Sequence, residues 1–481
     1  MRRPRFAVVG AGMAGLLAAI KLREAGYSDV TVYEKAAGPG GTWRANTYPG
    51  IACDVPSALY SYSFAPNPDW SHLFAPGPEI LQYFEGIASQ HGLDQVVQYG
   101  VEVTALRYDE GGWQIHTTNG ADRADFVLAA TGVLHHPAYP DIGGLETFAG
   151  PCFHTAQWDH TVRVDGARVG VLGTGSSGVQ VIGAIADRVS ALTVFQRTAQ
   201  WVLPVDNPAV SPDDQQRYRD DPGALPALRA ELAKSFAANF ADVVVDMDSP
   251  VLQKIEELCL ANLYDHVRDP ALREKLLPTY RAACKRLVVS PNYYRALTRP
   301  NVEVVVDDIA GVEPAGVRMK DGVRYEIDVL VLATGFRVDR FLRPIDVIGR
   351  AGLRLDDVWA QRPTAYLGVS VPEFPNLFLL NGPNGPVGNF SLIDVAEMQV
   401  AYVLALVAHA LDRKSAVSAR LEAAHQFEAD RVEATKRTVW VTGCRSWYLD
   451  DRGIPAAWPW TMARFRELMA SPELSHFELA Q

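Results

Sequence analysis

Several absences narrow this sequence before any motif is considered. Its five cysteines, Cys53, Cys152, Cys259, Cys284 and Cys444, are odd in number and scattered, with no C-x-x-C and no zinc-type spacing. From them neither a disulfide framework, nor a dithiol redox centre, nor a metal site is expected. Such usage fits a reducing cytoplasm. Long hydrophobic runs are also missing. The longest, Phe6–Ile20 with its glycines counted, falls short of the roughly 20 residues that cross a bilayer. Positive charge is not in surplus: the net charge of −11 argues against nucleic acid or an anionic membrane surface as a partner. Compositional bias is absent too. With 48% hydrophobic and 21% charged residues the chain is ordinary globular protein, and its 481 residues exceed what one core organises, so two or three domains are expected.

What is present begins at the N-terminus. Phe6-Ala7-Val8-Val9 runs into Gly10-Ala11-Gly12-Met13-Ala14-Gly15 and then Leu16–Glu24. This reads as strand, tight turn and helix, the context that gives G-x-G-x-x-G its meaning. Gly10 permits the turn, Gly12 lets the backbone approach a pyrophosphate, and Gly15 lets helix and strand pack closely. The helix N-terminus offers unpaired N–H groups to the phosphates. Gly26 ends the helix, Val30–Tyr33 is the next strand, and Glu34 closes it where a carboxylate accepts hydrogen bonds from a ribose diol. Arg2, Arg3 and Arg5 imitate the start of a signal peptide. The run behind them instead carries motif-spaced glycines and passes into Lys21 and Arg23 without a clear cleavage site.

The pattern then repeats. Arg168–Leu172 is a strand, Gly173-Thr174-Gly175-Ser176-Ser177-Gly178 a second turn, Val179–Ala186 a helix and Leu192–Phe195 a strand. Arg197, followed by Thr198, stands as far past Gly173 as Glu34 stands past Gly10. A carboxylate there binds a ribose diol and repels a 2′-phosphate, whereas a guanidinium accepts the phosphate. The first unit is therefore expected to bind a dinucleotide with a free ribose diol, and the second one that carries a 2′-phosphate, NADPH; the family resemblance described next makes the first FAD. Between them, Val97–Arg107 reads as one strand with Trp113–Thr117 beside it, and Asp125–Ala130 as a buried strand ending at Thr131-Gly132. Thr334-Gly335 repeats that ending after Asp328–Ala333, which makes the two sites the crossings of a nested order.

Gly40-Gly41-Thr42-Trp43, Tyr48-Pro49-Gly50 and Asp54 together resemble the N-terminal fingerprint of the type I Baeyer–Villiger monooxygenases. Phe148, Gly150, His154 and Trp158-Asp159 resemble their second fingerprint, in which many members carry proline at the position of Asp159. The resemblance implies an α/β fold of two Rossmann-like dinucleotide-binding domains. An FAD domain would span residues 1–139 and 336–481, the latter part with the substrate side. The NADPH domain, 140–335, would be inserted into it and carry a helical insertion at about 205–280. His154 is expected at a hinge or junction.

The resemblance also implies site roles. Thr42, Trp43, Asp54 and Tyr60 lie on the FAD side, and the Val103 backbone meets the adenine. Lys285 of the pair Lys285-Arg286 reaches the NADPH 2′-phosphate, Arg286 stands over the flavin, and Trp447 contacts the NADPH ribose. Ser391–Leu411 is a helix opening on a capping-box pattern, Ser391-x-x-Asp394, and the resembled fold aims its start at the flavin. The implied chemistry inserts one oxygen of O₂ beside the carbonyl of a small-molecule ketone through a C4a-peroxide of FAD, after reduction by NADPH. An arginine that steadies a developing oxyanion in a dry site needs a carboxylate beside it, and Asp54 is the candidate for Arg286. Two alternatives stay open: an N- or S-oxygenating flavin monooxygenase, and a dinucleotide-binding redox sensor without oxygenase activity. A disulfide reductase is set aside for want of a cysteine pair.

Overall fold

A computed structural model of the protein describes residues 3–109, 112–386, 390–444, 446, 448–450 and 452–480. Two five-stranded parallel sheets carry the fold. In the first, the order is Leu377–Leu379, Phe126–Ala129, Arg5–Val9, Asp29–Glu34, Val97–Tyr99. In the second it is Val302–Val305, Ala191–Phe195, Arg168–Leu172, Val329–Leu332, Cys152–His154. The strand Leu377–Leu379 returns to the first sheet only after the second is complete, so one Rossmann-like unit is inserted into the other.

The central strands, such as Phe126–Ala129 and Val329–Leu332, form because they are runs of apolar residues, as sheets covered on both faces require, and charged residues fall at strand ends or at the sheet edges. One face of the first sheet meets the helices Met13–Glu24, Gly77–Gln90 and Leu392–Arg413 in the largest core cluster. The other packs on a four-stranded sheet built around Trp113 and Ile115. The second sheet repeats this plan, with the helix Ser176–Ile185 on one face and a three-stranded antiparallel sheet, Ile309–Glu326, on the other. The helix Leu392–Arg413 is long and apolar enough to cross a membrane by length and composition, but half of its apolar window is buried in the core.

The two chain crossings lie side by side. Pro137 bridges Phe336 in antiparallel fashion, Ala138 N–H donates to Gly335 O (2.9 Å), and the Thr334 hydroxyl donates back to Ala138 O (2.5 Å). His154, fully buried, stands at this junction with its ring 5.8 Å from those of Tyr139 and Phe336. Between strands Val202–Leu203 and Val288–Val289, which pair, sits the helical insertion, with Pro212–Asp220, Ala224–Phe236, Pro250–His266 and Pro270–Leu276.

Three expectations need correction. The single strand over 97–107 is two, because Gly100 turns at φ +70° and sends Val103–Asp109 into the four-stranded sheet. The capping box at Ser391 does not close: its hydroxyl donates to Leu59 O (3.4 Å), and Arg229 of the helical insertion takes Asp394 instead. Finally, a disulfide does form, between Cys284 and Cys444, 160 residues apart. No local spacing announces a bond between such distant positions. The second sheet, the insertion and the C-terminal segment meet to create it.

Candidate active site

A cavity of 1220 Å³ runs along the ends of the central strands of both sheets. It gathers nearly every residue singled out in the sequence: Gly10, Gly12, Glu34, Thr42, Trp43, Asp54, Tyr60 and Val103 from the first unit, and Gly173, Thr174, Gly175, Ser176, Ser177, Arg197 and Thr198 from the second, together with Lys285 and Arg286. Gly15 and Gly178 do not line it. Trp447 lies outside the described residues.

The glycines divide by what surrounds them. Gly10 and Gly173 have φ of +104° and +106°, where L side chains are strained. A Cβ on Gly15 would fall 1.8 Å from Gly10 O, and one on Gly178 would fall 2.3 Å from Gly173 O. These are helix–strand contacts made by backbone alone. Gly12 and Gly175 differ. Their backbones are extended (φ −75° and −71°), a Cβ on Gly12 would meet nothing closer than Gly41 Cα at 3.5 Å, and one on Gly175 nothing within 4 Å. The protein itself does not demand glycine at these two positions. The space they leave is open to the cavity, and both lie at helix N-termini on its wall, a placement that would suit two pyrophosphates.

Glu34 is buried, and its carboxylate accepts Ala11 N–H at Oε2 (2.7 Å) and Ala36 N–H at Oε1 (2.8 Å). One bond per oxygen leaves lone pairs for a diol. At the equivalent point of the second unit, Arg197 is exposed and Lys285 half-buried. Among the described residues neither has a carboxylate partner. Burial, with the Arg197 charge adding to it, lowers the Lys285 pKa below the ordinary lysine value. Two cations that repel each other across a cavity are arranged to receive an anion.

Asp54 and Arg286 form a two-pronged pair. Arg286 Nε donates to Asp54 Oδ2 (2.8 Å) and its Nη2 to Oδ1 (2.6 Å). The side chains are 22% and 21% exposed, so the pair is sheltered but open to the cavity. Burial opposes the guanidinium charge, yet the Asp54 carboxylate outweighs it and holds the pKa above the usual arginine value. Arg286 Nη1 has no hydrogen-bond partner among the described residues. Beside the pair, the Trp43 indole N–H donates to the Tyr60 hydroxyl (3.1 Å), and burial raises the pKa of that phenol.

Two arrangements were not legible in advance. Tyr48 and Gly50 of the first fingerprint turn out to be joint residues. Tyr48 donates to Gln180 Oε1 (2.9 Å) and accepts from Ser177 (3.1 Å), while a Cβ on Gly50 would meet Gln180 O at 2.6 Å. The fingerprint thus fits the first unit against the helix of the second, and its motif membership was the only signal. Arg229 donates to the carbonyls of Leu59 (2.9 Å) and Ser61 (2.6 Å) and pairs with Asp394 at the start of the helix Leu392–Arg413. Burial, with Glu397 adding to it, pushes the Asp394 pKa up to about 6 against the pull of Arg229. Nothing in the sequence around Arg229 marks this role.

Comparison with known proteins agrees with this geometry. Residues 8–76 match the NAD(P)-binding Rossmann-like domain, and residues 58–235 match the pyridine nucleotide-disulphide oxidoreductase model. An uncharacterized monooxygenase of Mycobacterium tuberculosis is 45% identical over 99% of this chain and 96% of its own. A Baeyer–Villiger monooxygenase of Streptomyces coelicolor is 39% identical over 99% of this chain and 92% of its own. Among solved structures, the OTEMO complex with FAD and NADP superposes with a TM-score of 0.90 at 26% identity, with both chains fully covered.

Proposed function

This chain belongs to the Baeyer–Villiger monooxygenases, and we propose that its chemistry turns on Arg286, held in the cavity wall by Asp54. It is a flavin-dependent monooxygenase. When bound, FAD and NADPH supply the hydride and the activated O₂ from which one oxygen atom enters beside a ketone carbonyl, giving an ester or lactone. The glycine turns and the 2′-phosphate cradle fit these two cofactors. On the first unit Gly10, Gly12 and Gly15 build the pyrophosphate turn, Glu34 takes the adenosine ribose, and Thr42, Trp43, Tyr60 and Val103 line the remainder of the FAD site. On the second unit Gly173–Gly178 build the other turn, and Arg197, Thr198 and Lys285 receive the 2′-phosphate. Trp447 keeps the ribose role that the family resemblance implies. The corresponding domains are 1–139 with 336–481, and 140–335. The partners are a small-molecule ketone and O₂, and the location is the cytoplasm.

The observation that carries the reading is the two-pronged Asp54–Arg286 pair, with Nη1 unused among the described residues. Asp54 fixes the plane of the guanidinium and offsets the cost of holding its charge away from water. The remaining N–H donors are then preorganised for the negative charge that develops as a ketone carbonyl is attacked. A donor of this kind is worth about 10²–10³ in rate. Oxygen transfer to a soft nitrogen or sulfur nucleophile makes no such demand, and the full-length likeness to a named Baeyer–Villiger enzyme favours the ketone reading over both alternatives.

Arg286→Ala is the test. With a panel of cyclic, linear and aryl ketones, the variant should still oxidise NADPH, release hydrogen peroxide and form no ester. Ester formation near the wild-type rate would remove Arg286 from the chemistry.

A further inference from the structure

The crosslink between Cys284 and Cys444 lies one residue from Lys285 and two from Arg286. We propose that it is a positioning tie, holding Lys285 and Arg286 against the C-terminal segment, so that the thiol state of the pair sets NADP(H) affinity and coupling. The inference rests on the roles given to Lys285 and Arg286 above.

The segment that carries the two cations is held at both ends. Downstream, Val288–Val289 pairs with Val202–Leu203. Upstream, Arg281 Nε and Ala282 N–H both donate to Glu256 Oε1, at 2.7 and 2.9 Å, on the insertion helix. Between these anchors Ala283 takes φ +60°, a left-handed conformation unfavourable for an alanine. It is buried and persists only because its surroundings over-determine it. The next residue is Cys284, fully buried, bonded to Cys444 in a cluster with Trp201, Phe240, Trp440 and Tyr448. Beyond Cys444 on the other strand of the crosslink stands Ser446, on the cavity wall.

The bond therefore joins two parts of the chain that both reach the cavity wall. Cys284 belongs to the unit that carries the second sheet. Cys444 belongs to the segment that follows the last strand of the first. The Asp54–Arg286 pair, two residues on, ties the same segment to a different part of the chain, the N-terminal stretch that carries Asp54. Opening the bond frees Ala283 to leave its left-handed state and lets Lys285 shift away from its place on the cavity wall, with Arg286 then held by Asp54 alone, while the FAD turn at Gly10–Gly15 lies outside the change. The step is a two-electron exchange. A dithiol gives two electrons and two protons to the S–S bond, leaving two cysteine thiols and one disulfide on the reductant.

The experiment uses the flavin-loaded enzyme. Alkylation under denaturing conditions followed by intact mass should count three reactive cysteines, Cys53, Cys152 and Cys259, in the crosslinked form. After dithiothreitol it should count all five. NADP⁺ titration and NADPH-driven hydrogen peroxide release without ketone are then compared between the forms. Reduction should weaken NADP⁺ about tenfold and raise peroxide release. Diamide should restore both, and FAD retention should not change. Cys444→Ser should behave as the reduced form and ignore both reagents, while Cys152→Ser should respond like wild type. If Cys444→Ser does not fold, the reversible treatment of the wild type decides. Five thiols that persist after diamide, or equal NADP⁺ affinity and peroxide release in the two forms, would overturn the proposal. If the crosslinked form binds no NADP⁺ at all, the assignment of Lys285 fails first and the tie falls with it.

Discussion

Gly12→Ala and Gly15→Ala are the same chemical change three residues apart, and the structure assigns them opposite consequences. At Gly15 the added methyl would sit 1.8 Å from Gly10 O and 2.9 Å from Gly10 C. Both are backbone atoms, so strand and helix must part by more than an ångström. Alanine gains up to about 1 kcal/mol over glycine in a helix. Overpacking of this severity costs about 1–3 kcal/mol or more, so the fold should lose stability. At Gly12 the methyl meets only Gly41 Cα, at 3.5 Å, and φ −75° suits alanine. The apoprotein should be unharmed or slightly more stable, by up to about 1 kcal/mol. The methyl would, however, stand where a pyrophosphate meets the helix N-terminus. Losing one charge-assisted N–H contact of about 1.5–3 kcal/mol weakens FAD roughly tenfold to a hundredfold. Flavin-stripped proteins followed by thermal unfolding, then by FAD titration, separate the two effects. If Gly12→Ala destabilises the apoprotein as much as Gly15→Ala, or leaves FAD affinity unchanged, the division of the glycines is wrong.

The other predictions concern charge. Arg197→Ala should raise the NADPH KM about tenfold and leave NADH nearly untouched, since only NADPH carries the 2′-phosphate; steady-state kinetics with both coenzymes read this directly, and equal losses would refute it. Asp394 titrates in the folded protein at about 6, above the ordinary carboxylate near 4. A raised native pKa means that its contribution to stability is fully present below about pH 4 and is lost as pH rises through about 6. Asp394→Asn should remove that fall, seen as the difference between wild-type and variant urea midpoints over this range, and an unchanged difference across it would sink the assignment.

The dinucleotide turns were legible because both reasons for glycine, positive φ and backbone contact, are local to one strand–turn–helix unit. The repeat made Glu34 and Arg197 comparable position by position. The crossings at Thr131-Gly132 and Thr334-Gly335 followed from the repeated Thr-Gly ending of two buried strands, although the insertion lengthens the second copy. What could not be read was set by distance. Gly100 is a local exception: it breaks a stretch whose alternating Val101, Val103 and Ala105 read as one strand. Arg229 sits on an ordinary helix, and its partners, Leu59, Ser61 and Asp394, become its partners only after folding. Cys284 and Cys444 looked unpaired because cysteine spacing reports local bridges, and theirs closes over 160 residues. Tyr48 and Gly50 were recognised as a motif, yet their contacts are to Gln180 and Ser177 of the other unit.

Lys285 and Arg286 show most clearly what the structure adds. In sequence they are one basic dipeptide, told apart only by family resemblance. In the fold they are opposites. Among the described residues Lys285 has no carboxylate partner, and burial together with Arg197 lowers its pKa. In the proposed role, binding a phosphate would relieve a repulsion already present. That would make it sensitive to ligand and suited to selecting between coenzymes. Arg286 is locked to Asp54 and its pKa is raised. In the proposed role, a cation that steadies a transient negative charge must be held in place before that charge appears. The Asp54 carboxylate does this, while partly neutralising the charge so that the site does not trap anions permanently. A lysine in this second role would lack the fork that lets one edge bind Asp54 while Nη1 remains available. The residue types at 285 and 286 are therefore not interchangeable, although both are cations one peptide bond apart.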